Sequence, residues 1–373
     1  MKTRNFFPLG KAYGDSFCNR VEETKRLIDY IEGGKHSFLV APRRYGKSSL
    51  CARVFELVAL PHGVVDFHLA VSEKDAERLI IKGVSDLIGK ALGPVEKLSH
   101  LIKKYAKQLT PKLTIGSQDF HLELSVNSDS NSVDGVVDAL FLLEKLLCEK
   151  DKQAILLFDE FQEIGEISQG RGIEGAIRHV AQETKNLSFI FSGSIAHLLK
   201  SMFEDERRPL YKLCRKLVLD RISQDDYQKH LHKAAKLTWK KELDLKVFER
   251  IMDVSERHPY YVNYLCDELW SRESNIPDVL DVERAWNLIV EEERSDLLKD
   301  FFTLPDNQRK LLIHVANFGG KDIHSHATSQ RMDVPSGSVA QALNDLVEKD
   351  FLEKAPEGYR LIVPPYKTLL QKQ

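Results

Sequence analysis

Gly46, Lys47 and Ser48 stand in the stretch "FLVAPRRYGKSSL", residues 38–50, where an apolar run passes into a glycine-containing turn and then a helical pattern. That order of residue types suits phosphate binding. A glycine lets the backbone approach the phosphates, and successive N–H groups at a helix N-terminus favour negative charge. A lysine reaches the β and γ phosphates, and a serine hydroxyl can hold Mg²⁺. The phosphate-loop formula also asks for glycine five residues before Gly46, where this chain has Ala41. Alanine is a small departure, because Pro42 biases Ala41 toward extended geometry that continues the strand. A Gly-Lys-Ser tripeptide alone is common; the strand before it and the helix after it distinguish this one.

A second set of residues fits the same chemistry. "ILLFDE" ends an apolar run with Asp159 and Glu160. An ATP-hydrolysing site needs one carboxylate near Mg²⁺ and another to orient or deprotonate the attacking water. Buried residues directly before the two acids place them at a strand end, where α/β proteins bind ligands. "FIFSGS" closes a further strand with Ser192 and Ser194, which read either as polar groups placed to sense a γ-phosphate or as a plain turn.

The elements that must position these residues follow from periodicity. A helix is expected over 20–31, ended by Gly33 and Gly34, then the loop strand, then a helix over 49–60. "GVVDFHLAV" predicts a strand apolar on both faces, as a covered parallel sheet requires. Residues 75–110 read as helical, and "KLTIG" and "FHLEL" as a small hairpin around Ser117 and Gln118, within 111–126. Helices over 135–150 and 173–184 alternate with the strands "AILLFDEFQEI" and "LSFIFSGS". After residue 220 the alternation gives way to helical segments. From Pro305 three helices and two short strands joined at "APEG" predict a winged helix-turn-helix. The expected fold class is α/β: a parallel sheet flanked by helices over 1–220, an α-helical lid over 221–300 and a winged-helix domain over 301–373.

Composition excludes several alternatives. The 373 residues are 42% hydrophobic and 29% charged, as in ordinary globular chains, with a net charge of -2 and a pI of about 6.7. No global basic field points to nucleic acid, so such a contact would need a local patch. The five cysteines, Cys18, Cys51, Cys148, Cys214 and Cys266, lack the spacing of structural zinc or of a disulfide framework. The N-terminus lacks the apolar core of a signal peptide, and no run approaches the roughly 18 apolar residues of a membrane span, so a cytoplasmic protein is expected.

The last module, 301–373, carries nine Lys/Arg and eight Asp/Glu. Its third helix turns Val339, Ala342, Leu343, Leu346 and Val347 inward and Ser338, Gln341, Asn344, Asp345, Glu348 and Lys349 outward. Two acids and one base make a weak reader of base edges, and docking on the lid or on another protein is preferred to DNA. His314, His324 and His326 are assigned to surface and turn instead of to a metal. Phe6, Phe7 and Phe17 read from their own chemistry as ordinary core, preferred for at least two of them.

In order, "FCNRVEETKRLIDYI", "APRRYGKSSL", "LLFDEFQEI", "FIFSGS", "RRPLY", "HPYYVNYL" and the terminal module resemble archaeal-type ATPases of the AAA-plus and STAND neighbourhood over nearly the full length. The resemblance implies a P-loop domain of the additional-strand class with ATP and Mg²⁺ as ligands, and packing of Phe6, Phe7 and Phe17 beside the bound base. Lys47 and Ser48 then correspond to the Walker A lysine and Mg²⁺ ligand, Asp159 and Glu160 to the Walker B pair, and Ser194 to a catalytic polar residue. The ligand-contacting set becomes Arg44, Tyr45, Gly46, Lys47, Ser48 and Ser49 in the loop, with His258 and Pro259 at a lid turn where Arg257 replaces the usual glycine. Lys212 and Leu213 follow Tyr211 where relatives often carry glycine-arginine. Arg207, Arg208, Arg215 and Arg257 are the remaining candidates for a phosphate contact, with surface charge preferred for the first three and a solvated helix-opening residue for Arg257.

The leading expectation is an ATP-hydrolysing switch acting on a protein partner or on a second copy of itself. The alternatives are a DNA-loading factor resembling origin-recognition ATPases and a scaffold with an unhydrolysed nucleotide.

Overall fold

The computed structural model describes residues 6–93, 99–105, 109–115, 120–126, 132–167, 171–271 and 275–371. Packing divides the chain into two compact units. One holds Arg20–Arg43 and Leu50–Leu219; the other holds Met1–Asn19, Arg44–Ser49 and Asp220–Gln373.

The first unit is the α/β layer. Helix α1 (Val21–Glu32) buries Thr24, Leu27 and Ile31 at helical spacing and stops at Gly33. Strand β1 (Ser37–Val40) is buried throughout, and α2 (Lys47–Val58) follows the loop. Then come β2 (His62–Asp66), α3 (Glu73–Leu92), α4 (Ser99–Tyr105), β3 (Leu109–Ile115), β4 (Phe120–Val126) and α5 (Ser132–Glu149). The layer closes with β5 (Ala154–Asp159), α6 (Gln162–Glu166), α7 (Arg171–Ala181), β6 (Leu187–Gly193), α8 (Ala196–Glu204) and β7 (Arg215–Val218).

Five strands pair in the order β2-β5-β6-β1-β7, all parallel. Burial explains the order. The strands β5 and β6 are nearly continuous apolar runs and take interior places, where helices cover both faces. The edge strand β7 buries only Leu217. Phe158, Phe161, Phe191 and Phe203 pack ring against ring beneath the carboxyl ends of the central strands.

Several expectations are corrected. The "GVVDFHLAV" strand stops at Asp66, and it is an edge strand covered on one face: Gly63 and Val65 are buried while Val64 is 50% exposed. Leu69 and Val71 beyond it are exposed. The stretch 75–110 is not uniformly helical, because a strand begins at Leu109 and pairs with β4 from Leu109↔Val126 to Ile115↔Phe120. Ser117 and Gln118, the expected turn of that hairpin, lie outside the described residues.

In the second unit, α9 (Gln224–Trp239), α10 (Leu245–Ser255), α11 (Pro259–Ser271) and α12 (Val279–Thr303) share a core that includes Tyr227, Phe248, Leu265 and Trp286. Ser223, Asp244 and Asp278 cap three of these helices by accepting backbone N–H bonds. Phe6 and Phe7 are buried in this core, and Phe17 is half-buried. A separate core binds α13 (Asp306–Phe318), α14 (His326–Met332), α15 (Ser336–Glu348), the antiparallel pair β8 (Leu352–Ala355) and β9 (Gly358–Leu361), and α16 (Pro365–Gln371). His314 departs from its surface assignment: it lies on the buried side of α13, whereas His324 and His326 are exposed. Among the described residues no helix is long and apolar enough to cross a membrane.

Candidate nucleotide site

The two acids stand where β5 ends. Asp159 closes the strand, and its Oδ1 accepts the Glu160 N–H at 3.2 Å, which turns the chain sharply. Glu160 takes a φ of 51°, a left-handed conformation costing a non-glycine residue about 1 kcal/mol or more. Phe161 then enters the aromatic core, and its N–H bonds Ser192 O on β6 at 2.9 Å. Burial of Phe161 and that backbone bond hold the turn.

Strand β6 lies between β5 and β1, and its end supplies a serine to each acid. The Ser192 hydroxyl donates to Asp159 Oδ1. The Ser194 hydroxyl and N–H donate to Glu160 Oε2 at 2.7 and 3.1 Å. Both serines are therefore tied to the acids, and neither is a plain turn residue. Among the described residues Asp159 Oδ2 accepts no hydrogen bond, which leaves a hard oxygen of the kind Mg²⁺ takes.

Gln162, which sequence reasoning missed, completes this group. It is buried, and its Nε2 donates to Glu160 Oε2 at 2.7 Å. Its carboxamide occupies the space that a Cβ on Gly193 would need, so glycine is required there. A glutamine two residues after a strand-end acid was the available signal.

The loop begins directly at the carboxyl end of β1. Ala41 is buried and does not have a positive φ; the left-handed positions are Arg44 at 63° and Gly46 at 86°. Glycine is thus needed at position 46 and not at 41. Lys47, only 7% exposed, and Ser48 open α2. Ser49 Oγ accepts the Ala12 N–H at 3.0 Å, so its hydroxyl serves the N-terminal segment.

Within the second unit the loop meets the turn before α11. The Arg44 guanidinium lies over the Tyr260 ring, 4.0 Å from its centroid. Tyr45 is 1% exposed and meets the His258 ring edge-on at 4.8 Å. Burial, with Arg221 and Arg44 nearby, lowers the His258 pKa well below its usual value and keeps the ring neutral. Pro259 opens α11, where its missing N–H leaves no helical bond unmade. The Tyr45 side chain is committed to Glu353 and Arg221, so any phosphate contact from this residue would come from its backbone.

The candidate arginines separate. Arg208 pairs with the fully buried Glu174, a structural role and not the surface one expected. Arg207 is exposed and paired with Asp205, and Arg215 is exposed at the start of β7. Arg257 sits in the turn before α11 at a φ of 58°, so it does not open the helix.

This sheet order, with an inserted strand between the acid strand and the loop strand, defines an α/β P-loop ATPase fold of the additional-strand class, followed by a helical C-terminal region. The chain is similar to a Walker-type ATPase of Pyrococcus abyssi, at 18% identity and a TM-score of 0.68, covering 98% of this chain and 99% of that one. It is also similar to the ORC2 protein of Aeropyrum pernix, solved as ADPNP–ADP complexes, at 14% identity and a TM-score of 0.59, covering 100% and 98%. No protein-family profile matches the chain, and no curated protein matches its sequence.

Proposed function

We propose that this chain is a cytoplasmic ATP-binding, Mg²⁺-dependent ATPase that works as a switch, passing its nucleotide state to a C-terminal winged helix and a protein partner. The observation that carries the reading is the pairing of Asp159 with Ser192 and of Glu160 with Ser194 at the end of the inserted strand. Two carboxylates held separately can do separate work, one on a metal and one on water.

In this reading the N–H groups of Arg44 to Ser49 and the Lys47 ammonium take the phosphates, and His258 and Pro259 border the nucleotide. Ser48 and Asp159 supply the hydroxyl and carboxylate oxygens that suit Mg²⁺. Bound Mg²⁺ would neutralise charge on the phosphates. Glu160, positioned by Ser194 and Gln162, orients the attacking water and takes its proton. The lid spans 221–300 and the winged helix 301–373.

A protein partner fits the last module better than duplex DNA. On α15, Gln341 Nε2 donates to Asp345 Oδ1 at 2.7 Å, and Gln308 Nε2 to Asp345 Oδ2 at 2.7 Å. Lys349 Nζ donates to Gln308 Oε1 at 3.0 Å. Gln341 and Lys349, two of the groups on this face suited to reading bases, are thus bonded within the module.

The test is ATP binding and phosphate release with and without Mg²⁺. Lys47→Ala is expected to lose both, and Glu160→Gln to keep binding while losing hydrolysis. Robust hydrolysis by Glu160→Gln would remove the assignment of that residue.

A further inference from the structure

Tyr45 lies two residues before Lys47, yet its hydroxyl is held by the C-terminal hairpin. It donates to Glu353 Oε1 on β8 at 2.6 Å and receives Arg221 Nε at 3.0 Å. Arg221, 1% exposed at its side chain, has its remaining donors committed as well. Nη1 reaches the Glu256 carbonyl at 2.8 Å and its carboxylate at 3.1 Å, in the turn before His258. Nη2 reaches Leu361 O, at the end of β9, at 2.5 Å. Glu353 also accepts Arg360 Nε at 2.6 Å, and Arg360 pairs in turn with Asp220.

One loop residue, the lid turn and both strands of the hairpin therefore share a single hydrogen-bonded set, all within one compact unit. Such a set has few satisfied arrangements. A buried guanidinium that loses a carboxylate partner leaves an uncompensated charge, so partial breakage is strongly disfavoured. A change of loop backbone at Tyr45 must either carry Glu353 with it or give up the bonds to Glu353 and Arg221, leaving buried polar groups short of a partner. Ordinary core packing carries no such charge penalty, since a displaced apolar side chain leaves no charge unpaired.

We propose that the Tyr45–Glu353–Arg221 set couples the loop to the β8–β9 hairpin, so that nucleotide at the loop changes the conformation or stability of the hairpin. The inference rests on the ATP reading above and names the residues that regulate that site. Coupling is reciprocal: loosening the hairpin end must change nucleotide affinity by the factor with which nucleotide changes the hairpin.

The experiment is hydrogen exchange of residues 352–361 in the full chain, with and without Mg-ATP, alongside direct ATP binding. The wild-type hairpin is expected to change its protection on binding. Tyr45→Phe, which removes the donating hydroxyl, and Glu353→Gln, which keeps an acceptor oxygen but removes the carboxylate charge that Arg221 and Arg360 pair with, should each abolish that response, and Glu353→Gln should shift ATP affinity about 5-fold or more. Lys354→Ala, an exposed change on the same strand, should leave the response intact. If the wild type binds ATP and its hairpin does not respond, or if Glu353→Gln responds as the wild type does, the coupling is wrong and the ATP reading stands. If the wild type binds no ATP, the ATP reading fails and the coupling with it. Thermal melts identify a variant that has not folded, and the wild-type comparison then decides alone.

Discussion

Ser194 gives both its hydroxyl and its backbone N–H to Glu160 Oε2, at 2.7 and 3.1 Å, so the end of β6 fixes the carboxylate that follows β5. Ser194→Ala removes the hydroxyl and keeps the N–H. A hydrogen bond to a charged group contributes about 1.5–3 kcal/mol, so ATP turnover should fall roughly 10- to 100-fold with little change in ATP affinity. Turnover and equilibrium binding measured on the same preparation check this, and an unchanged rate would show that the hydroxyl does not position Glu160.

Gly193→Ala should disturb the same carboxylate from another side. The new methyl group meets the Gln162 carboxamide, whose Nε2 donates to Glu160. Overpacking of this kind costs about 1–3 kcal/mol, visible in a thermal melt. Gln162→Ala placed in the same chain should recover part of that stability without restoring turnover, because the clash is relieved while a partner of Glu160 is lost.

Arg208 and Arg207 are adjacent and should behave differently. Burial pushes the Glu174 pKa up to about 7, against the pull of Arg208 and Arg171, and Glu174 Oε2 has no hydrogen-bond partner among the described residues. Arg208→Ala leaves that buried group without its cation, at a cost of about 3–5 kcal/mol where the carboxylate is ionised. Loss of Arg208 raises that pKa further, so the group can protonate instead, and the loss in urea unfolding should be smaller near pH 6, where the wild-type carboxyl is itself mostly neutral, than near pH 8. Arg207, 84% exposed, should change stability by no more than about 0.5 kcal/mol when replaced by alanine.

His230 makes the second unit sensitive to acid. Burial, more than any other cause, lowers its pKa from 6.5 to about 4, and its ring meets Phe7 edge-on at 5.7 Å. A histidine with a depressed folded pKa contributes stability that is fully present above its unfolded value and is lost as pH falls, because the unfolded chain takes up the proton first. The loss should run from about pH 6.5 down to about pH 4 and amount to on the order of 3 kcal/mol. His230→Gln removes this part of the pH dependence. Denaturant titrations across that range check it, and an unchanged slope in the variant would exclude His230 as the source.

Apolar periodicity, together with the turn residues that bound each run, made the alternation of strands and helices legible, since short continuous apolar runs such as "ILLF" and "FIF" fit buried strands. It misjudged "GVVDFHLAV" for the same reason. An apolar run does not reveal that its strand lies at the edge of the sheet, where Val64 is 50% exposed and Leu69 and Val71 stand outside the core. His314 went wrong similarly, because a polar residue on a mostly apolar helix can face either way until its neighbours are placed.

The residue types for a phosphate loop and an acid pair, and their attachment to the carboxyl ends of two strands, are local properties, and Gly-Lys-Ser and Asp-Glu beside apolar runs determined them without any tertiary contact. What joins Ser192 to Asp159, Ser194 to Glu160, and Tyr45 to Glu353 across 308 positions of chain is decided only by folding. Hydrogen bonding between distant side chains leaves no spacing in the sequence to read. It depends on strand order and on which polar groups burial forces to find one another.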